Sequence, residues 1–210
     1  MTKTVFNSGN EVEKEPKSIQ PISELIRSRK STYAYSFAEK QISKDIVEEI
    51  VTNALWAPTH KLTQPWRFEV LEGGHKKDLG NYMLDFYKEN LTKDKFPESR
   101  YQETLEYPLN ATLIAIIFQR SKRIEIPEWE EIAAVSNAVQ NMWLSCTAMN
   151  LGAYWDSAPA TISYCKDNLR LKDNEISLGI FYMGIPKEEE KTKYRKRLPL
   201  SKKLKWNQKQ

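Results

Sequence analysis

Glycine is scarce in this chain of 210 residues, occurring seven times, and no arrangement of those seven makes a G-x-G-x-x-G or G-x-x-x-x-G-K-[ST] loop. No Gly-rich main-chain loop therefore announces a dinucleotide or nucleoside triphosphate, and any bound phosphate must be held mainly by side chains. Histidine occurs twice, as His60 and His75, outside any H-E-x-x-H pattern, and no G-x-S-x-G presents a nucleophile. A zinc enzyme and a Ser-His-Asp hydrolase are both disfavoured by this, and no metal is expected. Two cysteines, Cys146 and Cys165, cannot build a disulfide framework. No run of about 18 apolar residues exists, so no membrane-spanning helix is expected. The first seventeen residues carry charge where a signal peptide would be apolar, and a cytoplasmic protein is expected.

What remains is the composition of one ordinary domain: 40% hydrophobic, 11% aromatic and 29% charged. Residues 1–17 read as a flexible arm, poor in large apolar side chains. Residues 18–210 read as a single domain, of which 187–210 form an extension with ten Lys or Arg against three Glu. Leu198, Leu200, Leu204 and Trp206 lie within that extension, which suits a segment docked on a partner subunit.

Periodicity predicts the element order helix, helix, strand, helix, helix, strand, helix, strand, helix, strand. The first helix, from Pro21, ends around Ser31; the second, capped by Ser43, carries Ile46, Val47, Ile50 and Val51 on one face. Trp66–Leu71 alternates as a strand, and Ala111–Phe118 is a continuous apolar run suited to a strand covered on both faces. Pro108 is expected to close the small helix before that strand. The longest helix spans Pro127–Leu151, with Gly152 expected at its C-cap, and Thr161 is expected to cap the last helix. This order lacks the strict alternation of a doubly wound fold and predicts an α+β class, layered around a sheet.

Three segments could carry chemistry. Arg27-Ser28-Arg29-Lys30-Ser31 fits first a solvated helix end, the commoner role of such a cluster, and otherwise a phosphate clamp of guanidinium and hydroxyl donors. The stretch Trp56 to Trp66, containing His60 and Gln64, fits a packed loop or a wall beside a planar ligand. Asn150 to Ser157 fits a helix C-cap with an aromatic edge strand, or the rim of a site.

Taken in order, IRSRKS, ISKDIVEEIVTNALWAPTHKLTQPWRFEVLEG and IPEWEEIAAVSNAVQNMWLSCTAMNLGAYWDS resemble the FMN-dependent nitroreductase family, in particular its short-chain bacterial NAD(P)H branch. The resemblance covers about Ile22 to Pro186. It implies a dimeric α/β sandwich whose central, mainly antiparallel sheet is flanked by helices, with FMN at the subunit interface. It implies that Arg29, Lys30 and Ser31 hold the FMN phosphate, with Arg195 and Arg197 completing that site. Trp56, His60 and Gln64 would approach the flavin, Ser145 and Asn150 would line it from the central helix, and Trp155, Asp156 and Ser157 would run past the ring. One departure is Tyr33, where longer members place a lysine near the flavin N1 and O2.

The implied function is reduction of nitroaromatics, quinones or related electrophiles with NADH or NADPH, by ping-pong hydride transfer at flavin N5. No catalytic acid, base or nucleophile is then required of the protein. The implied partners are a small-molecule electron acceptor and a second copy of the chain. Two other classes stay open: a flavin-binding module without turnover, and a nucleic-acid-binding protein, against which the net charge of only +4 argues.

Overall fold

The computed structural model describes residues 20–123, 125–187 and 195–208. The expected arm over 1–17 lies outside the described residues. Six helices and four strands follow in the order α1 (Gln20–Ser28), α2 (Lys44–Ala54), β1 (Trp66–Leu71), α3 (Gly74–Asn90), α4 (Tyr101–Leu109), β2 (Thr112–Gln119), α5 (Glu128–Ala148), β3 (Gly152–Asp156), α6 (Pro159–Asn168) and β4 (Glu175–Gly184). This matches the order expected from periodicity and is an α+β fold.

The four strands form one antiparallel sheet in the order β1-β2-β4-β3. β2 is buried along nearly its whole length because both of its faces are covered. Ile114, Ile116 and Phe118 point into a core shared with α2 and α5. Leu113, Ala115 and Ile117 point into the opposite core, with Leu79 and Met83 of α3 and Tyr164 and Cys165 of α6. An unbroken apolar run is what a strand between two helical layers requires.

Helix α5 lies on the first of these faces. Its residues Ala134, Val135, Ala138, Val139, Met142 and Cys146 are buried at spacings of three and four, the inward stripe of a helix against a sheet. The expected glycine C-cap is not where the helix stops. Asn150 takes the left-handed conformation (φ 56°), and Leu151 N–H returns to the Cys146 carbonyl at 2.8 Å. Asparagine tolerates this conformation better than other side-chain-bearing residues, which frees Gly152 for the sheet. There Gly152 faces Gly184 across β3 and β4, and a Cβ on either would strike the Phe37 ring, at 2.7 Å and 2.4 Å.

Three further expectations are corrected by one to three residues. α1 ends at Ser28 rather than near Ser31. Pro108 lies inside α4, which ends at Leu109. α6 starts at Pro159, ahead of Thr161, because Asp156 accepts the Ala158 N–H at 2.9 Å and the Thr161 hydroxyl at 2.9 Å.

Candidate functional site

The chain after α1 is stitched to the end of the sheet. Thr32 N–H donates to the Ala153 carbonyl at 3.0 Å, Phe37 is fully buried over the glycine pair, and Ala38 N–H reaches the Ile185 carbonyl at 2.8 Å. Residues 29–31 are thereby held between α1, α5 and β3. The Arg29 guanidinium lies 4.5 Å over the Trp143 ring, and the Trp143 indole N–H donates to the Lys30 carbonyl at 3.2 Å.

Arg195 arrives from the C-terminal extension and donates to the carbonyls of Arg27, Ser28 and Arg29 as α1 gives way to the following loop. Cations are favoured at that end of a helix, so the extension has an electrostatic reason to settle there. The outcome is a crowd of like charge. Partial burial, and then the neighbouring Arg195 and Arg197, push the Arg29 pKa below its ordinary value. No carboxylate pairs with Arg29, Arg195 or Arg197 among the described residues, and Ser31 is exposed beside them. Crowded guanidinium groups without a counter-charge, next to a hydroxyl, are suited to a phosphate.

The loop between α2 and β1 is tightly wound. Lys61, Leu62 and Gln64 all have positive φ, at 50°, 55° and 45°, a conformation that non-glycine residues hold only when their surroundings impose it. Gln64 N–H donates to Thr59 Oγ1 at 3.1 Å, and its side chain is exposed. His60 Nδ1 lies 2.7 Å from Glu130 Oε2 in the first turn of α5, so the imidazole has a carboxylate partner. Trp56 is 82% exposed.

Trp56 and Ser145 line the same shallow groove of about 360 Å³ between α2 and α5. Ser145 Oγ donates to the Asn141 carbonyl at 2.9 Å and accepts from Asn53 Nδ2 at 3.1 Å. Asn150 is exposed at the end of α5. At the end of β3, the Trp155 indole N–H donates to the Leu178 carbonyl at 2.8 Å, Asp156 organises the turn into α6, and Ser157 is exposed.

Beside this strand end opens a cleft of about 890 Å³, walled by Trp155 and Asp156 together with Tyr33, Tyr35, Tyr154 and residues of α3 and α4. Tyr33 was legible as a departure from the family pattern. Tyr87 and Tyr107 were not legible as site residues, whereas Tyr154 lay within the stretch Asn150 to Ser157. Ten tyrosines in the chain were the available signal, but their convergence depends on the turn after α1 together with α3, α4, β3 and β4. The structure thus brings Arg29, Lys30, Ser31 and Arg195 together, and Trp56 with Ser145.

A sequence profile of the nitroreductase family matches residues 26–185. The chain is 29% identical over 184 residues to YfhC of Bacillus subtilis, provisionally named an NAD(P)H nitroreductase, covering 84% of this chain and 89% of that one. Among solved structures, the nitroreductase-like family protein from Bacillus cereus superposes with a TM-score of 0.71 at 22% identity, over 97% of this chain and 98% of that chain. A nitroreductase with bound FMN from Bacteroides fragilis superposes with a TM-score of 0.64 at 20% identity, over 84% and 94% of the two chains.

Proposed function

The chain belongs to the nitroreductase family, and from that premise we propose that it is an FMN-dependent oxidoreductase that uses NADH or NADPH to reduce nitroaromatics, quinones or related electrophiles. The observation that carries this reading is the cationic crowd of Arg29, Arg195 and Arg197, which has no carboxylate among the described residues. Arg29, Lys30, Ser31, Arg195 and Arg197 would hold the FMN phosphate. Bound there, FMN would supply the hydride chemistry at its N5.

This chain's own residues would orient the cofactor and shield it. Trp155, Asp156 and Ser157 would run past the ring. In that turn the Ala158 amide is committed to Asp156 and Pro159 has none, so the Ser157 N–H is the amide left to meet a ring nitrogen. Trp56, His60, Gln64, Ser145 and Asn150 would complete the walls, with His60 steadied by Glu130. Tyr33 brings a phenol to the position where the resemblance places a lysine in longer members of the family.

A homodimer is part of the same reading, and so is a cytoplasmic location, where NADH and NADPH are supplied. Supporting the dimer, Ile22 and Ile26 of α1 and Trp129 of α5 are 61%, 51% and 68% exposed. Residues 18–210 would act as one domain. The exposed Leu198, Leu200 and Trp206 support docking of the 187–210 extension on the second copy.

The purified protein is expected to be yellow and to bleach when NADH or NADPH is added without oxygen. Replacing Arg29 and Lys30 together by alanine is expected to weaken FMN binding by about ten-fold or more. Unchanged FMN affinity in that variant would refute the clamp, and retained FMN without NAD(P)H oxidation would leave a flavin-binding module.

A further inference from the structure

The cleft beside β3 has an unusual lining. A ladder of phenol rings runs through it from the core to the surface. Tyr182 stacks on Tyr154 with centroids 4.7 Å apart, Tyr154 meets Tyr33 at 5.1 Å, and Tyr35 lies 6.0 Å from Tyr33. Across the opening, Tyr87 packs on Phe96 at 4.9 Å. Such walls favour a flat, aromatic occupant, and about 890 Å³ is room for a single small molecule.

The polar groups of the lining are one-sided. Both of its carboxylates are engaged within the protein. Glu103 accepts the Tyr107 hydroxyl at 2.9 Å, and Asp156 accepts from Ala158 and Thr161. The Tyr87 and Tyr154 hydroxyls have no hydrogen-bond partner among the described residues. Burial first, and then Asp156, hold both phenols above their ordinary pKa, so both keep a proton to donate. At the rim, Lys95 and Arg100 carry no ion pair among the described residues. The cleft therefore offers aromatic faces, hydroxyl donors and two cations that carry no ion pair among the described residues. The rim cations would attract an acceptor-rich anion, and the phenol hydroxyls would donate to it.

We propose that this cleft binds planar aromatic carboxylates, with the ring against Tyr33 and Tyr154 and the carboxylate held by Arg100 and Lys95. Because Trp155 and Asp156 form a wall shared with the stretch assigned to the flavin ring, and resting on that assignment, this names aromatic acids as the preferred class of electron acceptor. Arg100 is then a specificity-determining residue, selecting for the acid over its neutral counterpart.

The test uses a ligand that cannot be reduced by hydride, so that binding is read apart from turnover. Isothermal titration calorimetry of the flavin-saturated protein at low ionic strength compares 2-naphthoate with the neutral 2-naphthamide. The naphthoate is expected to bind about ten-fold tighter, and Lys95→Ala with Arg100→Ala is expected to bring the two ligands within about two-fold. Both side chains are exposed, and circular dichroism checks the fold of the double variant; the glutamine pair, Lys95→Gln with Arg100→Gln, serves in its place if it misfolds. Equal affinity for the two ligands in the native protein, binding of neither, or a naphthoate affinity unmoved by both double variants would overturn the proposal. Naphthoate binding that persists in protein unable to take up FMN would overturn the flavin reading alone.

Discussion

Glu175 begins β4 with its carboxylate shut off from water and surrounded by donors. Arg67 Nε and Nη2 reach it at 3.0 Å and 2.9 Å, Gln119 Nε2 at 2.8 Å and Lys172 N–H at 3.0 Å. The fork-to-fork bond from Arg67 is the main reason its pKa is lowered to about 2, against the opposing effect of burial. A carboxyl whose folded pKa is depressed stabilises the fold above its unfolded pKa, and that contribution fades as pH falls through the folded value. With Arg67 still partly open to water, Glu175→Gln is expected to cost about 2 kcal/mol at pH 7. Denaturant midpoints should show the gap between the native protein and the variant narrowing from pH 5 towards pH 2. The same scale shows why the phosphate clamp was only half legible. Arg29, Lys30 and Ser31 are adjacent in sequence, but the fit of Arg195 to the carbonyls following α1 is a contact across 166 positions of chain.

Among the elements, β4 carries the decisive irregularity. Its Leu178 and Gly179 face the single residue Ile116 of β2, a bulge that shifts the register between Ala115 and Ile117. Gly179 holds φ at 107°, and a Cβ there would lie 2.0 Å from the Asp156 carbonyl oxygen. The Leu178 carbonyl accepts the Trp155 indole, so the bulge also sets the edge of the site. Gly179→Ala is expected to destabilise the protein by roughly 3 kcal/mol, through backbone strain and overpacking together. Thermal unfolding would measure this, and an unchanged midpoint would show that the bulge can relax without loss. The order and kind of all ten elements followed from hydrophobic spacing. The bounds of β1 and the Ser43 cap of α2 followed too, but several other ends did not, because caps are chosen by geometry: Asn150 rather than Gly152 turns left-handed after α5, and Asp156 rather than Thr161 organises the start of α6.

At the scale of the whole molecule, the two faces of the sheet are unequal. One carries α3, α4 and α6, which close over it except at the tyrosine cleft. The other carries α2 and α5 with α1 beside them, and there Ile22, Ile26, Leu55 and Trp56 remain exposed. Exposed apolar side chains grouped on one side are costly unless a second surface covers them. Ile26→Glu is accordingly expected to weaken the proposed dimer by about ten-fold or more, as measured by sedimentation equilibrium. Native protein sedimenting as a single chain would remove the homodimer from the functional reading.

Composition and periodicity alone determined the class and element order of this protein, and the lack of glycine loops pointed to side chains as the holders of any phosphate. These properties depend on residues near one another in sequence, where helix and strand spacing are written directly. The tertiary structure decided which cations stand without a counter-charge among the described residues, which glycines lie beneath Phe37, and that tyrosines from a turn, a helix pair and two paired strands share one cleft. Such properties depend on distances between residues far apart along the chain, and only the packing of two helical layers on one twisted sheet sets them.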